Sequence, residues 1–179
     1  MPTIISHAAI PLALGLGLGD ARIPRPLLLT GIATSMLPDA DVILMRFGAT
    51  YDSIWSHRGF SHSIALALLV AAAAALLLRR VARPPTAFAF VFIATVSHGL
   101  LDMLTNGSHG VAIFWPLSDQ RYFFDWRPIQ VAPLVTNHFV SRLASRAGAL
   151  AWTEGLWIWL PAAIVAMALR TVRKGEAAQ

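Results

Sequence analysis

The chain has 179 residues, 56% of them hydrophobic and only 13% charged, with a formal net charge of +5 and no Cys. Soluble proteins run at about 45–50% apolar and about 25% charged, so this composition excludes an ordinary soluble domain and points to a single membrane-embedded unit. The lack of Cys excludes disulfides and thiolate metal sites, and the basic residues, scattered in short clusters between apolar runs, lack the footprint of a nucleic-acid binder.

Apolar segments of helical length recur along the chain. The first, residues 4–19, includes "AAIPLALGLGLG"; no basic stretch precedes it and His7 interrupts its start, so it reads as a retained first helix rather than a signal peptide. The second, 27–45, is "LLLTGIATSMLPDADVILM", with two aspartates late in its course. The third, 62–78, and the fourth, 86–104 ("TAFAFVFIATVSHGLLDML"), just meet the length of about 17–25 residues that a bilayer core requires. The fifth covers 150–169; like the first and second it spans only if tilted or with its polar end near an interface. The expected fold class is all-α: an integral membrane helical bundle of about five transmembrane helices, with an extended outer loop region between helices four and five. One domain, 1–179, is expected, with a metal-site core in 1–128 and an interfacial helix plus the last transmembrane helix in 129–179. Within that second part, "NHFVSRLASRAGALAW" has helical spacing, with Arg142 and Arg146 four apart, and is expected either along the membrane surface with its Arg near lipid phosphates or as a plain solvated helix.

Arg and Lys set the orientation. The 20–26 loop (Arg22, Arg25), the 79–85 loop (Arg79, Arg80, Arg83) and the tail (Arg170, Arg173, Lys174) fall on one side, against Arg46 and Arg58 in the opposite 46–61 connection; Arg121, Arg127, Arg142 and Arg146 of the long 105–149 segment join that second side and narrow the contrast. The positive-inside rule puts the richer set in the cytoplasm and the N-terminus outside.

The polar residues of the spans then fall at one end. His7 opens the first span, "PDAD" (Pro38 to Asp41) comes late in the second, "SHRGFSHS" (56–63) precedes the third, and "SHGLLD" (97–102) closes the fourth. His98 and Asp102, four apart, share a helix face. Asp39 and Asp41 follow a proline, which biases Leu37 away from helical geometry and would kink the span. Ionisable residues inside a membrane are costly, about 2.5–3.5 kcal/mol for a central Asp, and pair or serve a function. Plainer alternatives exist: Asp39 capping a short helix, Asp41 paired with Arg46, His57 and His62 as ordinary loop polarity. His98 with Asp102, inside an apolar run, is the hardest to explain that way. His109 and His138 read as surface residues of the long connection. Three carboxylates and four imidazoles suit Zn²⁺, with Mn²⁺ or Fe²⁺ as alternatives, in one or two ions. A pair of such ions about 3.5–4 Å apart stabilises both oxygens of a phosphoryl displacement.

"SHAAIPLALG", "MLPDAD", "HRGFSHS", "SHGLLDMLTNG" and "FWPLSDQRYF", in this order over residues 1 to about 128, resemble the YdjM-like family of LexA-regulated, membrane-bound metal-dependent hydrolases. The resemblance implies an integral protein of the bacterial inner membrane, with His7, Asp39, Asp41, His57, His62, His98 and Asp102 in the family's metal-site positions. It also implies a distant similarity to zinc-dependent phospholipases C and related nucleases, and so phosphoester chemistry.

On this reading the protein is a lipid-headgroup phosphoesterase whose site faces the extracytoplasmic side, with a membrane lipid as substrate. Arg58 would bind a non-bridging phosphoryl oxygen, and Ser61, Ser63 and Ser97 would orient imidazoles. Thr105, Asn106 and Arg121 would line the headgroup entrance. Glu lies outside the motifs (Glu154, Glu176), leaving an activated water or one Asp, Asp39 or Asp102, as the base. The alternatives are a metal-dependent amidase or acyl hydrolase, and a non-enzymatic metal-ion transport or binding protein.

Overall fold

The computed structural model describes residues 1–48, 50, 53–133 and 139–177. Helices form wherever the apolar runs fall: α1 (Ala9–Leu18), α2 (Arg25–Met36), a short α3 (Val42–Arg46), α4 (Ile64–Leu77), α5 (Pro84–Met103), α6 (Phe139–Glu154) and α7 (Leu160–Ala177). Two isolated bridges, Thr105 with Ile129 and Val111 with Tyr122, are the extent of β pairing among the described residues. Three helical stretches are long and apolar enough to cross a membrane: Arg25–Leu44, Pro84–Met103 and Phe139–Glu176; Ile4–Leu18 and Ile64–Leu77 are shorter apolar helices. The all-helical expectation holds, and three of the five expected segments reach spanning length.

α5 is the central strut, with α2 and α4 packed on it, while α1 packs on α7. Small residues make these approaches possible. At Gly31 of α2 a Cβ would come within 2.4 Å of the Phe90 ring on α5, so that ring needs a residue without one. Ala71, Ala74 and Ala75 of α4 and Ala87 of α5 join Ile23, Leu27, Phe90 and Val91 in one buried cluster. Leu16, Leu29, Leu69, Leu76 and Ile164 remain exposed, as expected for surfaces solvated by lipid tails.

Three elements depart from the sequence reading. Pro38 does not kink the second span: Leu37 keeps helical angles (φ −57°, ψ −39°), and the chain tightens into a 3₁₀ turn over Leu37–Asp41 before resuming as α3. A proline at the second position of such a turn withholds little, because the turn's first N–H groups lack partners anyway. The segment expected along the membrane surface or as a solvated helix is instead continuous with the last span. α6 runs through a π-helical stretch, Gly155–Trp159, into α7, making a helix of 38 residues, about 57 Å long at 1.5 Å per residue. That is about twice a hydrocarbon core, so α6 projects beyond it. The beginning of the expected helix, with His138, lies outside the described residues. Finally, the long connection folds back as a cap. Ile64 and Ala112 donate backbone hydrogen bonds to Ile113 and Arg58, and Val111, Ile113 and Met103 form a small core beneath.

The octapeptide 56–63 is a tight loop. Arg58 sits in the left-handed region (φ 67°), a cost of about 1–2 kcal/mol for an L-residue. Gly59 passes so close to the Ile54 carbonyl that a Cβ would lie 1.9 Å from its oxygen. Gly59→Ala is therefore expected to destabilise the protein by about 2 kcal/mol or more, read as a lowered midpoint of thermal unfolding in detergent. A wild-type midpoint would mean that the loop can open without cost.

Candidate metal centre

The four separated segments meet at one end of the bundle. His7 comes from the 3₁₀ turn Ile4–Ala8 ahead of α1, Asp39 and Asp41 from the turn after α2, His57 and His62 from the loop before α4, and His98 and Asp102 from the last turns of α5. All seven are buried, with His7, His98 and Asp102 fully so. Three overlapping groups bring their ligand atoms within 4.8 Å of one another: His7, Asp39 and His98; Asp39, His57 and His62; His62, His98 and Asp102. Gly99 allows this closeness, since a Cβ there would come within 2.9 Å of the His62 carbonyl oxygen.

The electrostatics of the cluster are unbalanced. Apart from Thr95 Oγ1, the buried side-chain polar atoms left without a hydrogen bond among the described residues are both ring nitrogens of His7, both carboxylate oxygens of Asp39 and both of Asp102. A buried polar group without a partner costs about 1–3 kcal/mol, more when charged. These atoms point at one another: His7 Nε2 lies 3.6 Å from Asp102 Oδ1 and 3.8 Å from Asp39 Oδ2. The His7 and His98 rings stack at 3.6 Å.

Tautomers sharpen this picture. His98 Nδ1 is 2.7 Å from the Ser35 carbonyl; a carbonyl only accepts, so Nδ1 carries the proton and Nε2 presents a lone pair. That lone pair faces His62 Nε2 at 3.0 Å, while His62 Nδ1 lies 3.2 Å from Asp41 Oδ2. Two imidazole lone pairs cannot face each other at this distance without a proton or a cation between them. Burial opposes the charged form of His62, but its hydrogen bonds with Asp102 and Asp41 outweigh that and push its pKa up to about 9. For His57, burial prevails over its hydrogen bond to the Asp41 carboxylate and the pKa falls.

Asp41 belongs to none of the three converging groups. Its Oδ1 is 2.9 Å from His57 Nδ1, its Oδ2 accepts from the Arg58 backbone N–H at 3.3 Å, and Ser61 Oγ donates to it. It holds two imidazoles by their far nitrogens. The side chain of Arg46, an alternative partner for Asp41, lies outside the described residues.

Arg58 is 3% exposed, with Nε 3.0 Å from Asp102 Oδ2. Its Nη2 donates to Thr105 Oγ1 at 2.8 Å and its Nη1 to the His109 carbonyl, leaving one N–H on each terminal nitrogen. A cleft of about 140 Å³ opens beside it, lined by Met1, His57, Arg58, Gly107, Ser108 and His109. His109, read from sequence as a surface residue, is half-buried at that mouth.

The other expected site residues divide. Ser61 also meets His62 Nδ1 at 2.9 Å, as expected of an imidazole-orienting hydroxyl. Ser63 instead caps α4 by accepting from the Leu66 N–H, and Ser97 donates to the Ala94 carbonyl of its own helix. Thr105 is fully buried beneath Arg58. Asn106 ties the chain to residues 129–131 through Val131 and Gln130. Arg121 braces the 53–57 loop by donating to the Ser53, His57 and Gly110 carbonyls. Neither Asn106 nor Arg121 lines the cleft.

One acidic residue escaped the motifs. Glu154 is 5% exposed and accepts from the Thr3 N–H at 2.7 Å, from Thr3 Oγ1 at 2.6 Å and from Ser6 Oγ. Trp159 Nε1 donates to the same Ser6 hydroxyl at 2.9 Å. The π-helical stretch between Glu154 and Trp159 lets both reach the turn that carries His7. Its sequence signal is a carboxylate at the start of the apolar run 155–169, which in a membrane implies a partner. Glu154→Gln is expected to cost about 1.5–3 kcal/mol through lost charge-assisted hydrogen bonds, seen as a lower unfolding midpoint. An unshifted midpoint would remove Glu154 as the anchor of this turn.

A sequence model described as YdjM inner membrane protein matches residues 1–177. The chain is 41% identical over 163 residues to an Escherichia coli (strain K12) protein described as inner membrane protein YbcI, covering 90% of this chain and 92% of the relative. No solved structure matches it.

Proposed function

The chain belongs to the YdjM family of inner membrane proteins, and from that premise we propose that it is a metal-dependent hydrolase, a phosphoesterase acting on lipid headgroups. The observation that carries this reading is the set of buried atoms without a hydrogen bond on His7, Asp39 and Asp102, of which only Asp102 Oδ2 has an arginine beside it and which a divalent cation would satisfy. His7, Asp39, His57, His62, His98 and Asp102 would hold one or two ions, zinc being best suited to an imidazole and carboxylate donor set, with manganese or iron as the other fits. When bound, such an ion supplies a water of lowered pKa and polarises a phosphoryl oxygen.

The chain's own residues do the rest. Asp41 and the Ser35 carbonyl fix the tautomers of His57, His62 and His98, so that each offers Nε2. Arg58 lines the cleft and keeps one N–H on each terminal nitrogen beyond those given to Thr105 and His109, the planar donor set that suits phosphate oxygens. The cleft is smaller than the usual 300–1,000 Å³ of a drug-sized ligand site, so the reacting phosphate enters while the acyl chains stay in the bilayer. With Arg22, Arg79, Arg80 and Arg83 at the opposite end, the positive-inside rule turns the site toward the extracytoplasmic leaflet. A transport pathway is disfavoured because the bundle beyond α5's midpoint is filled by Ala71, Ala74, Ala87, Phe90 and Val91, which offer an ion no ligands.

Elemental analysis of detergent-purified protein, paired with turnover on phospholipid phosphoesters before and after chelation, tests this. Bound divalent metal and chelator-sensitive release of a phosphorylated or dephosphorylated headgroup are expected. Release of fatty acid would select an acyl hydrolase, and metal-free protein with full thermal stability would end the metal reading.

A further inference from the structure

At the end of the bundle away from the metal centre, a cavity of about 740 Å³ opens between the α1–α2 turn and the α4–α5 loop. Four arginines line it, Arg22, Arg79, Arg80 and Arg83, over an apolar floor that includes Leu18 and Ile23. We propose that this cavity binds the phosphate of an anionic phospholipid, phosphatidylglycerol or cardiolipin, in the leaflet opposite the metal centre.

Charge that only directs membrane insertion needs no cavity and no common focus. Here the charges are focused. Arg22 has an acidic partner, Glu176 at 2.9 Å, and that pair is exposed. Among the described residues no carboxylate pairs with Arg79, Arg80 or Arg83; the nearby Asp20 lies 4.0 Å from Arg25 instead. Three arginines without a carboxylate partner thus line one hollow, at the bundle end where α1 gives way to α2 and α4 to α5. The start of α5 lies at the same hollow, but Pro84 and Pro85 carry no N–H there, so anion binding falls to the arginine side chains.

The frame of the cavity is a packed apolar cluster. Ile23 and Leu27 on one side and Ala74, Ala75 and Ala87 on the other share a buried cluster, with Leu18, Leu78 and Ala82 packed against it. The two loops are therefore held side by side at the cavity. An apolar floor below a cationic rim matches a lipid, whose phosphate is followed at once by glycerol and acyl chain. A free phosphate would gain nothing from the floor. Basic pockets between transmembrane helices are the kind of surface that binds such headgroups.

The test uses the full chain in detergent, with native mass spectrometry of adducts from equimolar phosphatidylglycerol, cardiolipin and phosphatidylethanolamine. Anionic adducts are expected to survive activation that strips phosphatidylethanolamine, and Arg79→Gln/Arg80→Gln/Arg83→Gln to lower their retention about 100-fold, at about tenfold or less per charge. Metal content should not change. Equal retention of all three lipids, or an unaltered triple variant, overturns the proposal. Because these arginines also orient the chain, wild-type membranes supply a second reading: phosphatidylglycerol with a photoreactive headgroup should label peptides from 18–24 and 78–86. Labelling spread evenly over the chain overturns it as well. So does displacement of the lipid by millimolar inorganic phosphate, which would make the ligand a soluble anion.

Discussion

Asp39→Asn is expected to strip the protein of metal, with a loss of affinity beyond the 10–100-fold typical of residues that merely orient a ligand. Asp39 appears in two of the three converging groups, with His7 and His98 on one side and His57 and His62 on the other. Its Oδ1 lies 3.4 Å from His98 Nε2 and its Oδ2 3.8 Å from His7 Nε2, and neither oxygen has a hydrogen bond. An amide keeps the shape and deletes the charge, and its NH₂ group would point a donor at an imidazole nitrogen. Asp41→Asn makes the contrast. Asp41 acts on the far nitrogens of His57 and His62, so its loss should weaken metal binding by about 10–100-fold and leave it measurable. Titrating the metal-stripped variants and measuring metal per protein separates the two. If Asp41→Asn proved as damaging as Asp39→Asn, the division between the converging atoms and those behind them would be wrong.

That division marks how far the sequence could be read. The convergence itself was legible, because His7, Asp39, His98 and Asp102 fall at alternate ends of successive apolar runs, and alternation in a bundle brings alternate ends together. The i, i+4 spacing of His98 and Asp102 was legible too, since a helix fixes it. The different duties of Asp39 and Asp41 were not. On a 3₁₀ helix, at about three residues per turn, positions two apart point about 120° from each other, and only the observed winding shows which one faces the cluster. Hydroxyls were similarly ambiguous: Ser63 precedes a helix and Ser61 does not, so a capping role suits Ser63, yet in "FSHS" the two sit equally near His62. Arg121 and Glu154 depended on contacts between residues distant in the chain, 64 apart for Arg121 with His57 and 148 apart for Glu154 with Ser6. No local pattern encodes such pairings. The length of the last helix was hidden by composition, because α6 carries Arg142 and Arg146 on an exposed surface and looks separate from the apolar span it continues.

Arg58→Ala is expected to destabilise the metal-free protein by about 3–5 kcal/mol, the usual cost of removing one partner from a buried ion pair. From sequence alone Arg58 was expected chiefly to bind the substrate, with pairing to one of the three aspartates as the other use open to it. In the structure its Nε sits 3.0 Å from the fully buried Asp102 carboxylate, with Thr105 and the His109 carbonyl holding the rest of the guanidinium. Those links also sustain its left-handed backbone. The cost should depend on metal: a bound cation would neutralise Asp102 by another route, so the stability lost on mutation should shrink when metal is added. Melting wild type and Arg58→Ala with and without metal measures that coupling directly, as a double-perturbation cycle. Arg58→Lys then isolates the chemistry. A single ammonium keeps the charge beside Asp102 but lacks the planar fork to reach Thr105, His109 and a phosphate together. The Lys variant should retain most of its stability and metal while losing turnover on phospholipid phosphoesters by about 100-fold or more, in line with loss of an electrostatic donor at a reacting centre. Full turnover in Arg58→Lys would reduce Arg58 to a strut for Asp102 and leave phosphate recognition to some other group at the cleft. Equal destabilisation with and without metal would instead separate Asp102 from the ion and shift the centre toward His7, Asp39 and His98.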